Sequence, residues 1–146
     1  MAPFRFRLEQ VRLYRKQLEE QAMQRLALAV MERNRLLIRK EATEKELYGQ
    51  RQRLCRPDLL EPAEFPVTLD YAGALARDLK DCVKALDAAE DQVDIRRRQL
   101  AEKAMERELL DRLEKKQADR HKLTELKQEQ QRNDETATLR YRHAAV

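Results

Sequence analysis

The sequence lacks tryptophan and serine altogether, and only two glycines and two cysteines occur among its 146 residues. Aromatic residues make up 5% of the chain and charged residues 40%, which leaves too little bulky apolar material for a multilayered globular core. We therefore expect narrow apolar seams between helices. The longest apolar run is Leu26–Met31, far short of the roughly 20 residues that cross a bilayer, and we expect no membrane insertion.

Residues that could carry out chemistry are also scarce. Without serine the chain has no serine nucleophile, and His121 and His143 lack metal-ligand spacing to Cys55 or Cys82. The two glycines are not arranged as a phosphate-binding loop. We therefore predict no enzymatic activity, no cofactor and no metal site. The first residues lack the apolar segment of a secretory signal, which favours a cytoplasmic protein.

The four prolines divide the chain. Pro57, Pro62 and Pro66 lie close together, and Pro3 lies near the start. Because proline breaks a helix interior but is tolerated in a first turn, we predict a helix over residues 4–56, a turn over 57–67 and a helix over 68–142, capped by Thr68. The predicted fold is all-α: one long antiparallel two-helix coiled-coil hairpin, with a short proline-containing turn, that forms a single domain over residues 1–146.

Apolar residues at spacings of three and four predict the seam between the two helices. In the first helix the seam positions are Leu8, Val11, Arg15, Leu18, Ala22, Leu26, Ala29, Arg33, Leu36, Lys40, Thr43, Leu47 and Leu54. In the second they are Leu79, Val83, Leu86, Glu90, Val93, Arg97, Leu100 and Ala104. Facing residues have numbers that add up to 122, as for Ala22 with Leu100, which puts the fold point at residue 61. In this register Cys55 and Cys82 are too far apart for a disulfide.

Charge is segregated along the chain. Residues 1–56 carry a net charge of +7, residues 57–94 of −7 and residues 95–146 of +4. Opposite charges beside the seam favour antiparallel closure. The register leaves residues 119–146 without a partner in their own chain, so we expect an overhanging C-terminal helix that orders best inside a partner.

The basic residues leave two other binding functions open. Arg96, Arg97 and Arg98 could contact phosphate in a nucleic-acid-binding coiled coil, but acidic residues interrupt the basic ones and stacking aromatics are missing, so we expect no nucleic acid. A generic scaffold coiled coil remains the other alternative.

Both ends of the chain resemble a known family. The opening residues 4–11, Phe-Arg-Phe-Arg-Leu-Glu-Gln-Val, with Tyr14-Arg15 and residues 17–20, and the distant Leu110–Leu113 and Asn133–Glu135 segments are similar to FliJ, the flagellar type III export protein. The resemblance spans nearly the whole chain. Arg12 departs from it, because the family more usually has an apolar residue there.

The resemblance implies a non-enzymatic stalk protein of flagellum biogenesis and motility, cytoplasmic and peripherally associated with the inner-membrane export apparatus. FliJ proteins sit in the pore of the hexameric export ATPase FliI, contact the export gate FlhA and handle export chaperones. For the ATPase ring the candidate contacts are Phe4, Phe6, Leu123, Leu126, Asp134, Glu135 and Arg140. For the gate, at the hairpin tip, they are Leu47, Tyr48, Tyr71 and Leu75. The equivalent stalk of a virulence-type secretion system is the nearest alternative.

Overall fold

A computed structural model describes residues 2–146. Helix α1 spans Glu9–Leu54, a short 3-10 helix spans Pro57–Leu59, and helix α2 spans Glu64–Ala144. No strand occurs in this described range. The predicted all-α fold, with two long helices packed on each other, is confirmed.

The ends of the helices differ from the predicted ones. Helix α1 begins at Glu9 and not near Pro3, so Pro3 lies outside any helix. Helix α2 begins at Glu64, before Pro66, because a proline in the first turn lacks only an N–H group that has no helical partner anyway. Thr68 is therefore not the capping residue; it is buried inside α2.

The chain divides into two compact units. The second unit, Glu20–Ala101, holds the turn and most of the buried apolar residues. Its cluster contains Leu47, Ala72 and Leu75, against which partly buried apolar residues pack: Leu54, Ala76 and Leu79. The numbers of Leu47 and Leu75 add up to 122, which agrees with the predicted register. Leu36, Leu86 and Val93 are also buried, and Val93 is only 1% exposed.

Part of the predicted seam on α2 was wrong by one residue. Val83, Glu90 and Arg97 are exposed, and the helix instead turns the preceding residues inward: Cys82 is buried, and Ala89 and Arg96 are half-buried. Burying Ala89 in place of Glu90 avoids the cost of taking a carboxylate out of water. Cys82 is a free thiol, as is the exposed Cys55 near the turn.

Polar contacts fix the direction of the helices in this unit. The Arg39 guanidinium lies 2.7 Å from the Asp78 carboxylate. The Arg53 guanidinium lies 4.0 Å from the Glu64 carboxylate. The Tyr71 hydroxyl donates a hydrogen bond to Glu46. In each pair the residue numbers add up to 117. Residues later in α1 therefore contact residues earlier in α2, as they do when two helices are antiparallel.

The buried cluster generates the first prediction. Replacing Leu47, which is 3% exposed, with alanine leaves a cavity beside Ala72 and Leu75, and we expect it to lower the free energy of unfolding by about 2 to 4 kcal/mol. Urea denaturation followed by circular dichroism measures the loss. Leu28→Ala is the matched control, because Leu28 is 65% exposed, and its effect should stay within about 0.5 kcal/mol. Equal losses for the two variants would contradict the assigned seam.

Candidate protein-docking surfaces

The first unit consists of the chain up to Glu19 together with Glu102–Val146, and ion pairs join its two helices. Arg15 lies 2.6 Å from Glu106, and Arg12 lies 3.0 Å from Glu114 and 3.6 Å from Asp111. Arg12 also binds Glu9 on its own helix at 2.7 Å. The predicted seam residues Leu8 and Val11 are exposed. In this unit ion pairs between arginines of α1 and carboxylates of α2 therefore join the helices, and Arg15 is half-buried at the seam position predicted for it.

A second arginine of this unit lies between carboxylates. Arg107 on α2 donates hydrogen bonds to Glu19 on α1 and, at 2.6 Å, to Asp111 one turn further along its own helix. The pKa of Arg107 is raised, first by the bond to Glu19 and then by the bond to Asp111. The pKa of Arg12 is raised chiefly by its hydrogen bond to Glu9. Both guanidiniums therefore stay charged, and ion pairs join the two helices of this unit.

The N-terminal segment, residues 2–6, is not helical and lies against α2. The rings of Phe4 and His121 are 5.6 Å apart and tilted by 54°, a favourable edge-to-face type of arrangement. Phe6 is buried, and its carbonyl oxygen accepts a hydrogen bond from the N–H of Glu9 at 3.2 Å. The structure thus places Phe4 and Phe6, both predicted to contact the ATPase ring, in contacts within this unit.

Beyond the N-terminal segment, α2 continues alone. His121 and Glu125 are half-buried, whereas every residue from 126 to 146 is exposed. The uncovered part therefore begins at residue 126 and not at 119, because Phe4 and its neighbours cover the preceding turns. We call residues 126–146 the C-terminal extension. The hydroxyls of Thr136 and Thr138 donate to backbone carbonyls of the preceding turn, at 2.7 Å each.

The remaining residues predicted to contact the ring are exposed. Leu123 is 59% exposed and Leu126 is 61% exposed. They lie three residues apart, so they share one face of α2. Asp134, Glu135 and Arg140 are exposed on the C-terminal extension. The extension offers both apolar and charged side chains to a partner.

At the turn, the four residues predicted to contact the gate separate into two kinds. Leu47 and Leu75 lie in the buried cluster and present little surface, whereas Tyr48 and Tyr71 are 66% and 43% exposed. Whether any of the four binds a partner stays a prediction. The pKa of Tyr71 is raised, first by the hydrogen bond that it donates to Glu46.

Sequence reasoning missed a cavity at the turn. It has a volume of about 400 Å³ and is lined by Gln52, Arg53, Arg56, Leu59 and Leu60. Leu59 is 73% exposed. The signal that could have found this site is the pair of leucines between Pro57 and Pro62, because apolar residues in a turn are seldom needed for the helical seam. We call this cavity with Tyr48 and Tyr71 the tip surface.

Within residues 2–146 no group of three or more histidine, cysteine, aspartate or glutamate side chains is arranged to hold a metal ion.

No helix in the described range is long and apolar enough to cross a membrane.

Two antiparallel helices with exposed apolar side chains at the turn and at the C-terminus define a coiled-coil hairpin protein. The family model described as "Flagellar FliJ protein" matches residues 4–145, which is nearly the whole chain. The chain therefore belongs to the FliJ family, whose members are non-enzymatic stalk components of flagellar type III export. Comparisons with curated proteins and with solved structures gave no match.

The ion pairs of the first unit generate a salt-dependence prediction. Raising the salt concentration from about 0.1 M to about 1 M shortens the Debye length from about 10 Å to about 3 Å. We expect the amide protons of α2 over residues 102–118 to exchange faster in high salt, because Arg12, Arg15 and Arg107 lose attraction to their carboxylates. Hydrogen exchange by mass spectrometry measures this. Amides around Leu47 are the control, and their exchange rates should change little. An equal increase of the exchange rates in both units would contradict the prediction.

Tyr71 generates a pH prediction. Because its pKa is raised above the usual value of 10.0, the bond to Glu46 is present below that value and is lost as the pH rises through the raised pKa. Glu46→Ala removes the acceptor, so we expect it to lower the pKa of Tyr71. The difference in tyrosinate absorbance between each protein and its Tyr71→Phe variant isolates this residue. Glu44→Ala, which removes a nearby carboxylate that is not bonded to Tyr71, should leave the difference curve unchanged.

Proposed function

We propose that this protein is the central coupling stalk of the flagellar export ATPase. The C-terminal extension, together with the end of the first unit that carries it, enters the pore of the FliI hexamer, and the tip surface faces the export gate FlhA. The observation that carries the proposal is the C-terminal extension itself: residues 126–146 are exposed throughout and α2 runs to Ala144. Family membership supports the same function.

The composition of the extension supports insertion into a partner. A helix of this length with few apolar residues is marginal in water by itself. Three of its large apolar side chains, those of Leu126, Leu139 and Tyr141, are between 57% and 76% exposed. A protein pore that covers these side chains stabilises the helix. Asp134, Glu135 and Arg140 then supply charged contacts to the wall of the pore.

A single stalk affects a six-fold ring through asymmetry. One helix inside six equivalent subunits contacts each of them differently, so it stabilises their nucleotide states unequally. Such differential contact is the only means by which a bound protein changes the populations of those states. The stalk therefore promotes ring assembly and orders the ATPase cycle without a catalytic group of its own.

The tip surface provides the second contact of the stalk. Tyr48 and Tyr71 are large, exposed side chains near the turn, of the kind that often dominates a protein interface. The adjoining cavity, between Arg56 and Leu59, offers room for a side chain of the gate. In this arrangement the protein is cytoplasmic and peripherally associated with the inner-membrane export apparatus, and export chaperones bind along it.

Of the alternatives, the match to a flagellar family favours flagellar export over a virulence-type system. The nucleic-acid alternative gains no support, because Arg97 lies 4.0 Å from Asp94 and residues 91–103 contain no aromatic side chain for stacking.

A truncation tests the proposed function. A chain that ends after Glu125 keeps the Phe4–His121 contact but lacks the whole C-terminal extension. We expect it to lose binding to the FliI ring and to leave the ATPase rate of FliI at its level without stalk, because the contacts with the pore are gone. Co-sedimentation with FliI and a phosphate-release assay measure the two effects.

Two full-length variants make this test specific. Leu126→Glu places a charge on the extension and should weaken FliI binding, whereas Met105→Glu, at a residue that is 65% exposed outside the extension, should not. If the truncated chain binds and stimulates FliI as the full chain does, the extension is not the element that enters the ring.

A further inference from the structure

Helix α1 has a second apolar stripe outside its seam, which runs from the flank of the helix at Leu28 to the opposite side at Met31 and Ile38. Leu28, Met31 and Ile38 are 65%, 67% and 68% exposed. Their spacings of three and seven residues put them on one face of the helix. On the same helix Ala22 and Leu36 are buried. We call Leu28, Met31 and Ile38 the outer stripe.

The outer stripe adds three large, exposed apolar side chains to a helix that already buries a seam. Both sides of α1 are apolar around Leu26–Met31, and a helix that is apolar on two sides is usually covered on both. Aligned exposed apolar side chains of this kind mark interaction sites.

A groove between the helices adjoins the stripe. It has a volume of about 330 Å³, with Leu28, Ala29 and Ala89 in its lining and Arg25 and Arg96 among its polar residues. In the described part of the chain neither arginine lies within 4.0 Å of a carboxylate. Arg96 has only Gln99 as a neutral partner, at 3.0 Å.

The groove lining contains one carboxylate among the described residues, that of Glu32. The guanidinium of Arg35 donates two hydrogen bonds to this carboxylate, at 2.7 and 3.0 Å. The pKa of Glu32 is lowered chiefly by this hydrogen bond, so Glu32 is ionised and already paired. Arg25 and Arg96 therefore remain as two positive charges beside an apolar surface, and carboxylates are the groups that complement them.

We propose that the outer stripe and the adjoining groove dock an amphipathic helix of another protein, with an apolar face and flanking carboxylates. Side chains at heptad spacing pack best against another helix. The apolar face of this partner covers Leu28, Met31 and Ile38, and its carboxylates bind Arg25 and Arg96. A second copy of this chain fits less well, because a symmetric contact would bring the arginines of both copies together.

This surface is separate from those of the proposed function. The outer stripe and the groove lie in the second unit and include no residue of the C-terminal extension or of the tip surface. The partner helix therefore binds in addition to the ATPase ring and the gate, and its binding is measurable without either.

Synthetic helices of defined charge test the proposal. The probe is a fluorescein-labelled peptide of about four heptads, with leucine at both seam positions and glutamate beside them. A matched peptide carries lysine in place of each glutamate. Fluorescence anisotropy with the full-length protein measures both affinities. We expect the glutamate peptide to bind at least about tenfold more tightly than the lysine peptide.

Three double variants locate the site. Leu28→Glu with Met31→Glu should weaken binding of the glutamate peptide at least about tenfold, because the apolar surface is lost. Arg25→Glu with Arg96→Glu should reverse the preference between the two peptides. Met105→Glu with Leu109→Glu is the matched control: both residues are exposed, at 65% and 64%, and lie outside the outer stripe, so binding should not change.

All substitutions lie at solvent-accessible positions, and glutamate suits a helix interior, so circular dichroism should show the helical content of the parent protein.

Equal affinity for the two peptides overturns the proposal, as does equal loss of binding in the control variant. Sedimentation tests whether a second copy of this chain covers the outer stripe instead. A dimer that Leu28→Glu with Met31→Glu converts to a monomer would mean that a second copy covers the stripe, and this too overturns the proposal.

Discussion

The structure depends on the seam between two antiparallel helices. Two helices cannot enclose a core, because each buries one stripe and leaves the rest of its surface in water. In the second unit that stripe is thin, and it is formed by residues such as Leu36 and Leu47 on α1 and Leu75, Leu86 and Val93 on α2. Most of each helix surface is therefore free to contact other proteins, and docking is the function for which such a fold is suited.

The seam differs in chemistry between the units. Apolar side chains form it in the second unit, whereas in the first unit ion pairs, among them Arg15 with Glu106, also join the two helices. The side chains of these ion pairs are half-buried, and ion pairs that water still reaches orient helices more than they stabilise them. The chain ends, which the proposed function brings into the ATPase pore, are thus joined by contacts that respond to ionic surroundings.

Proline placement and apolar spacing were sufficient to predict the fold class, the position of the turn and the register. Details that depend on neighbouring elements were not predictable. Ala89 and not Glu90 faces the seam. Apolar spacing alone does not fix the rotation of α2 about its axis to better than one residue, so this difference was not predictable. The burial of Phe6 and the contact of Phe4 with His121 involve a non-helical segment without periodicity.

The candidate sites were predictable to a similar degree. The pairing register indicated an uncovered C-terminal helix from residue 119. In the structure its uncovered part starts at residue 126, because the N-terminal segment covers the turns before it. At the turn, apolar spacing placed Leu47 in the seam but did not separate Leu75, which also serves the buried cluster, from the exposed Tyr71. The predicted seam of α2 began only at Leu79, so the rotation of the helix before it was not fixed.

The docking surfaces depend on the antiparallel register of the two helices, and distances between spin labels can measure that register. Met23 with Gln99 and Tyr48 with Ala74 are exposed pairs in the second unit whose numbers add up to 122. With helix axes about 10 Å apart, both labelled pairs should give short, narrow distance distributions in the monomer. A slip of one heptad displaces facing residues by about 10 Å along the axis. Long or broad distributions for either pair would contradict the register and the docking surfaces assigned from it.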